Sequence, residues 1–172
     1  MSVELDDRRR LDALHGKIRH LHKLELTVGV HSDAPAHKDD KGEPINMAQL
    51  AAVHEFGTSR IPERSFLRAG VASKQTEIGD RAKLGVQRLV DGEYDAPEVL
   101  EFLGELILGD IRELLQAGVK PELSATTIAS RDKKAGHGGG VAGMAGSHTP
   151  LIDTGQLIGS LAYKVGGEGD KR

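Results

Sequence analysis

The sequence predicts an α+β fold: a small antiparallel sheet with several helices packed on one face, and a long flexible Gly-rich loop. Three observations carry this expectation. Residues 24–30 alternate apolar and polar side chains, the period of a half-buried strand, and Leu161, Tyr163 and Val165 alternate again near the end of the chain. Between them, Leu100, Leu103, Ile107, Ile111 and Leu114 recur at helical spacing in a stretch framed by start and stop signals. Ser130 to Thr149 holds six glycines and almost no apolar bulk, and so cannot bury enough surface to order itself alone.

Along the chain, residues 5–23 read as a helix with Leu11, Leu14, Ile18 and Leu21 on one stripe, and Asp6 and Asp7 favourably near its positive end. Strand 24–30 follows, then a polar loop from His31 to Pro44 rich in Asp, Lys, Pro and Gly. Asn46 starts a short helix, with Gln49 three residues on as in a capping box and Met47, Leu50, Ala51 and His54 on one face; Gly57 stops it. Ile61-Pro62 forces an extended step. A long helix is expected from Glu63 to Val90, with Leu67, Val71, Ile78, Ala82, Val86 and Leu89 inward, weakened at Gly70, Gly79 and Gly85. Asp95 and Glu98 form a capping box for a helix over 96–117, ended by Gly118 and Pro121. Phe56 and Phe66, two of five aromatics, are expected as core anchors. The organisation predicted is a single domain over 1–172, with a mobile loop at 131–149 and a polar tail at 166–172.

Composition narrows function. The net charge of -3 gives no whole-protein attraction to nucleic acid or to a membrane. The absence of cysteine removes disulfides, thiolate chemistry and Cys-based zinc sites. The first residues lack the apolar region of a secretory signal, and no apolar run reaches the roughly 18 residues of a membrane span. The expectation is a cytoplasmically made protein with no membrane partner. The histidines make no metal face: His15, His20 and His22 are off-register, and His54-Glu55 lacks the second histidine of His-Glu-x-x-His. Gly138-Gly139-Gly140 lacks the following Lys-Ser/Thr of a phosphate-binding loop. No cofactor is expected.

Leu151-Ile152-Asp153-Thr154-Gly155 has the form of a retroviral-type aspartic protease motif, which in a single copy needs a symmetric dimer so that two Asp153 carboxylates share a proton. The helical chain before it and Gln156 after it favour a structural role instead, with Asp153 or Thr154 capping a helical turn and Gly155 making the bend. A cytoplasmic binding or regulatory α+β domain is a further alternative. Arg60, Arg64 and Arg68 lie four apart; they suit either an acidic or phosphate partner, or local pairing with Glu55 and Glu63.

Two blocks together resemble a known family. His54-Glu55-Phe56-Gly57-Thr58 followed by Ile61-Pro62-x-Arg64-x-Phe66-Leu67-Arg68, and later Pro150-Leu151-Ile152-Asp153-Thr154-Gly155-Gln156-Leu157 with Ser160 and Tyr163, are similar to the signatures of the tailed-bacteriophage tail-component or tail-completion (neck, head–tail junction) proteins. The blocks cover about a fifth of the chain. The resemblance implies a non-enzymatic virion protein forming a hexameric or dodecameric ring between capsid connector and tail. Its partners would be copies of itself and neighbouring neck and tail proteins, with non-specific proximity to genomic DNA in the channel. The expected interface residues are His54, Glu55, Phe56, Gly57, Arg60, Pro62, Arg64, Phe66, Arg68, Asp153, Thr154 and Gly155, together with the Gly-rich loop.

Overall fold

The computed structural model describes residues 2–38, 44–136, 148–151 and 155–167. Its elements are α1 (Ser2–His22), β1 (Leu24–Val30), β2 (His37–Lys38), β3 (Pro44–Ile45), α2 (Met47–Phe56), α3 (Leu67–Ser73), α4 (Gln75–Asp91), α5 (Ala96–Ala117), α6 (Ala125–Gly136), α7 (Gln156–Gly159) and β4 (Leu161–Gly167). β1 pairs with β4 in a two-stranded antiparallel sheet, and the fold is α+β. The polar stretch after β1 adds a second, two-residue antiparallel pair, with His37 opposite Ile45 and Lys38 opposite Pro44.

The chain forms two compact units. One gathers residues up to 28, 75–107 and from 163; the other gathers 29–74 and 108–162. In the first unit the core is built on Leu89, Ala96, Val99 and Leu103, with Leu24, Leu26 and Phe102 packed against it. Two glycines set its spacing. A Cβ on Gly85 would lie 3.1 Å from the Val99 side chain, and one on Gly104 would lie 2.6 Å from the Tyr163 ring. Each marks a place where two elements meet too closely for a methyl group. The Lys17 ammonium donates to the Leu89 carbonyl at 3.1 Å, placing a cation at the negative end of α4. α5 starts as its capping box dictates: Glu98 N–H donates to the Asp95 carboxylate at 3.0 Å, and Asp95 N–H donates back to Glu98.

In the second unit Met47, Ala51, Phe66, Ile111, Leu115 and Leu157 are buried together with Leu161. Gly70 permits α3 to approach α5, since a Cβ there would sit 3.1 Å from the Ile111 side chain.

The structure corrects several local expectations. The helix expected from Glu63 to Val90 is two helices, α3 and α4, separated at Lys74, and it opens at Leu67. Residues 63–66 stay out of the helix because its first free N–H groups are taken by a carboxylate from α2, described below. Arg64 and Arg68 therefore do not share a helix face. Val71 and Val86, expected inward, are exposed, while Gly85 and Leu89 face the core. α4 has rotated to present its smallest residue to α5. Phe56 is 64% exposed and is not a core anchor, whereas Phe66 is fully buried. The expected loop at 131–149 begins inside α6, which Ser124 caps through its hydroxyl to Thr127 N–H. Residues 137–147 of that stretch, and 168–172 of the expected polar tail, lie outside the described residues; 166 and 167 belong to β4.

Candidate functional site

The second unit concentrates the residues of the first sequence block. Asn46 caps α2, its side-chain oxygen accepting from the N–H groups of Ala48 and Gln49 at 2.9 and 3.2 Å. Gly57 ends α2 at φ +71°, and a Cβ there would lie 2.7 Å from the Glu63 nitrogen. Only glycine allows the chain to fold back so tightly. Thr58 then holds the turn: its hydroxyl accepts from the N–H groups of Arg60 and Ile61, and its own N–H donates to the Ile61 carbonyl at 2.7 Å. Arg64 N–H closes the loop on the His54 carbonyl at 2.8 Å.

Glu55 is the centre of this turn. It is 3% exposed, and its carboxylate accepts from Phe66 N–H, Leu67 N–H and Arg68 N–H at 2.8, 2.9 and 3.1 Å. The Ser65 hydroxyl and the Arg68 guanidinium donate to it as well, at 2.8 and 2.9 Å. A carboxylate thus satisfies the open first turn of α3, where the helix dipole also favours negative charge. Burial pushes the Glu55 pKa up, but the bonds from Leu67, Arg68 and Ser65 outweigh it and hold the group below its ordinary value. Arg68 reaches further, to the Glu55 carbonyl and the Glu63 carboxylate, and lies 4.9 Å over the Phe56 ring.

Arg64 is the second buried charge, at 7% exposure. Its Nε donates to the Pro121 carbonyl at 2.7 Å and its Nη2 to the Glu122 carbonyl at 3.1 Å. These carbonyls bring dipoles and no opposing charge. Beside it opens a cavity of about 740 Å³, within the roughly 300–1,000 Å³ of ligand-binding clefts. Its lining includes His54, Arg60, Arg64, Arg131 and Glu122 together with the apolar Met47, Leu50, Ile61 and Leu151. Burial, then the charges of Arg64 and Arg131, push the His54 pKa down, and its Nδ1 is buried with no hydrogen-bond partner among the described residues.

The expected site residues therefore separate by position. Glu55, Arg64 and Phe66 are buried; Phe56, Arg60, Pro62 and Arg68 are exposed. Gly57 holds the turn, while His54 and Gly155 line the cavity with Arg60, Pro62 and Arg64. Gly155 stands at φ +74° immediately before α7. Asp153 and Thr154 lie outside the described residues. Pairing of Arg68 with Glu55 and Glu63 is found as local pairing. Arg131 belongs to the loop expected at 131–149, whereas Ser124 and Thr127 at the cavity had no signal in the sequence, because they lie some 60 residues from Arg64 along the chain. No grouping of three or more metal-ligating His, Asp or Glu side chains occurs among the described residues, and no described helix is long and apolar enough to cross a membrane. No protein-family profile, no curated protein and no solved structure matches the chain.

Proposed function

We propose that this chain is a structural virion protein of a tailed bacteriophage, one that assembles with copies of itself into a ring at the head–tail junction and does no chemistry of its own. The resemblance of the two sequence blocks supplies the phage context. The observation that supports self-association is a set of apolar side chains in the first unit that the described residues leave exposed. Leu11 and Ile18 on α1 are 54% and 46% exposed, and Val86 and Val90 on α4 are 41% and 48% exposed. Leu11, Leu14 and Val90 line one cleft with Asp7, Arg10 and Lys17, and Ala82, Val86 and Val90 line a second with Lys83 and Gln87. Apolar side chains gathered on neighbouring helices and rimmed by charged residues suit a contact between proteins.

The first block supports the same reading from the other side. Glu55, Thr58 and Arg68 have their polar groups engaged in fixing one turn, and the Arg64 guanidinium ties it to the carbonyls of Pro121 and Glu122. That is the behaviour of a building element. A ring needs a head-to-tail interface whose rotation closes, and a rigid turn of this kind fixes the angle at which a neighbour is presented.

Particle imaging tests the proposal. Virions of the phage encoding this chain should carry it as a closed ring between connector and tail, with the α1–α4 surface covered by a neighbouring copy. Mature particles that lack the chain would refute it, and so would a peptidase activity abolished by Asp153→Ala.

A further inference from the structure

We infer that the exposed face of α1 in one copy docks on an acidic stripe of α5 in the next. The inference rests on the self-association proposed above and names the two surfaces that meet. At about 100° per residue, Arg8, His15, Arg19 and His22 fall within an arc of roughly 60° on α1, directly beside Leu11 and Ile18. All six side chains are exposed. Asp12, at the edge of that arc, is the one acid of residues 8–22. Among the described residues neither Arg8 nor Arg19 makes an ion pair; Arg19 donates from Nε to the His15 carbonyl of its own helix at 3.4 Å. Apolar side chains edged by cations suit an acidic partner.

Such a partner is present on the chain itself. Glu98, Glu101 and Glu105 recur at three- and four-residue spacing on α5, fall within a similar arc and are exposed. Glu98 accepts from Asp95 N–H and Glu105 from the Tyr163 hydroxyl at 3.5 Å, and none of the three glutamates makes an ion pair among the described residues. Their charge acts on its surroundings: burial, then Glu105 and Glu101, push the Tyr163 hydroxyl up. α1 and this part of α5 belong to the same compact unit, yet among the described residues no ion pair joins the two stripes. Bringing them together takes a second copy. A second α1 in that place would set Arg8 and Arg19 against like charges. Because the two surfaces differ, the contact is head-to-tail, the kind that closes into a ring or extends as a filament.

Charge reversal followed by sedimentation tests the contact. One variant carries Arg8→Glu with Arg19→Glu, a second carries Glu101→Lys with Glu105→Lys, and a third carries all four; Glu98 is kept because it belongs to the cap of α5. All four positions are exposed, so the variants should fold, which circular dichroism checks. The parent should gain mass with concentration and lose that gain in about 1 M salt, where charges are screened beyond about 3 Å. Each double variant should associate at least about tenfold more weakly than the parent. The combined variant should regain most of the association, because both faces have changed sign together. Should it not fold, the two double variants mixed in equal amounts should show the same recovery. A parent that associates more weakly than about 1 mM, association unchanged in either double variant, or no recovery overturns the inference. Association that persists in both double variants removes this contact and leaves the ring to other surfaces. Virions that lack the chain remove the ring and leave the charge-reversal result standing.

Discussion

The Glu55 carboxylate accepts a hydrogen bond from Leu67 N–H at 2.9 Å, so the last turn of α2 supplies the cap for the first turn of α3. Capping is normally local, from the residue just before the helix. Here Phe66 occupies that position, with no side chain able to accept, and the acceptor comes from the helix before.

Removing this cap should be costly. Glu55→Ala leaves three N–H groups and a serine hydroxyl without their acceptor in a buried place, and should lower stability by about 3–5 kcal/mol. Glu55→Gln keeps one acceptor oxygen and should lose roughly half as much. Chemical denaturation of the three proteins measures both differences.

Acid should act through the same group. The folded Glu55 pKa lies below its unfolded value, so the unfolded chain binds the proton more readily. Its contribution is complete above the ordinary carboxylate value and is lost as pH falls through the folded pKa. His54 is also shifted down, so its contribution is complete above about 6.5 and shrinks at lower pH until the folded pKa is passed. Urea midpoints should fall in two stages between pH 7 and pH 3, and the lower stage should be weakened in Glu55→Gln.

Glycines at different places should respond in opposite directions. Gly57→Ala puts a methyl 2.7 Å from the Glu63 nitrogen at a positive φ, and should cost about 2–4 kcal/mol. Gly104→Ala meets the Tyr163 ring and should cost about 1–3 kcal/mol. Gly79→Ala, in the exposed middle of α4 with open space around it, should stabilise by about 0.5–1 kcal/mol. Thermal melts rank the three.

The uncovered apolar surface separates assembly from folding. Val90→Asp at a half-exposed position should change stability by no more than about 0.5 kcal/mol, yet abolish any concentration-dependent rise in mass seen by sedimentation of the parent. Equal self-association in the variant would remove this surface from the proposed interface.

The sequence by itself determined the elements whose causes are local. β1 follows from the alternation at 24–30, α5 from the capping box at Asp95 and Glu98, and the end of α2 from Gly57. What only the tertiary structure decided depends on partners far along the chain. α3 begins at Leu67 because Glu55 reaches it, and α4 turns Gly85 inward because Val99 leaves no room for a side chain. Arg64 and Arg131 line one cavity because the turn before α3 and α6 converge there. Periodicity and caps report on neighbours three or four residues away; a carboxylate meeting a distant helix end, or two arginines lining one cavity, leaves no such local trace.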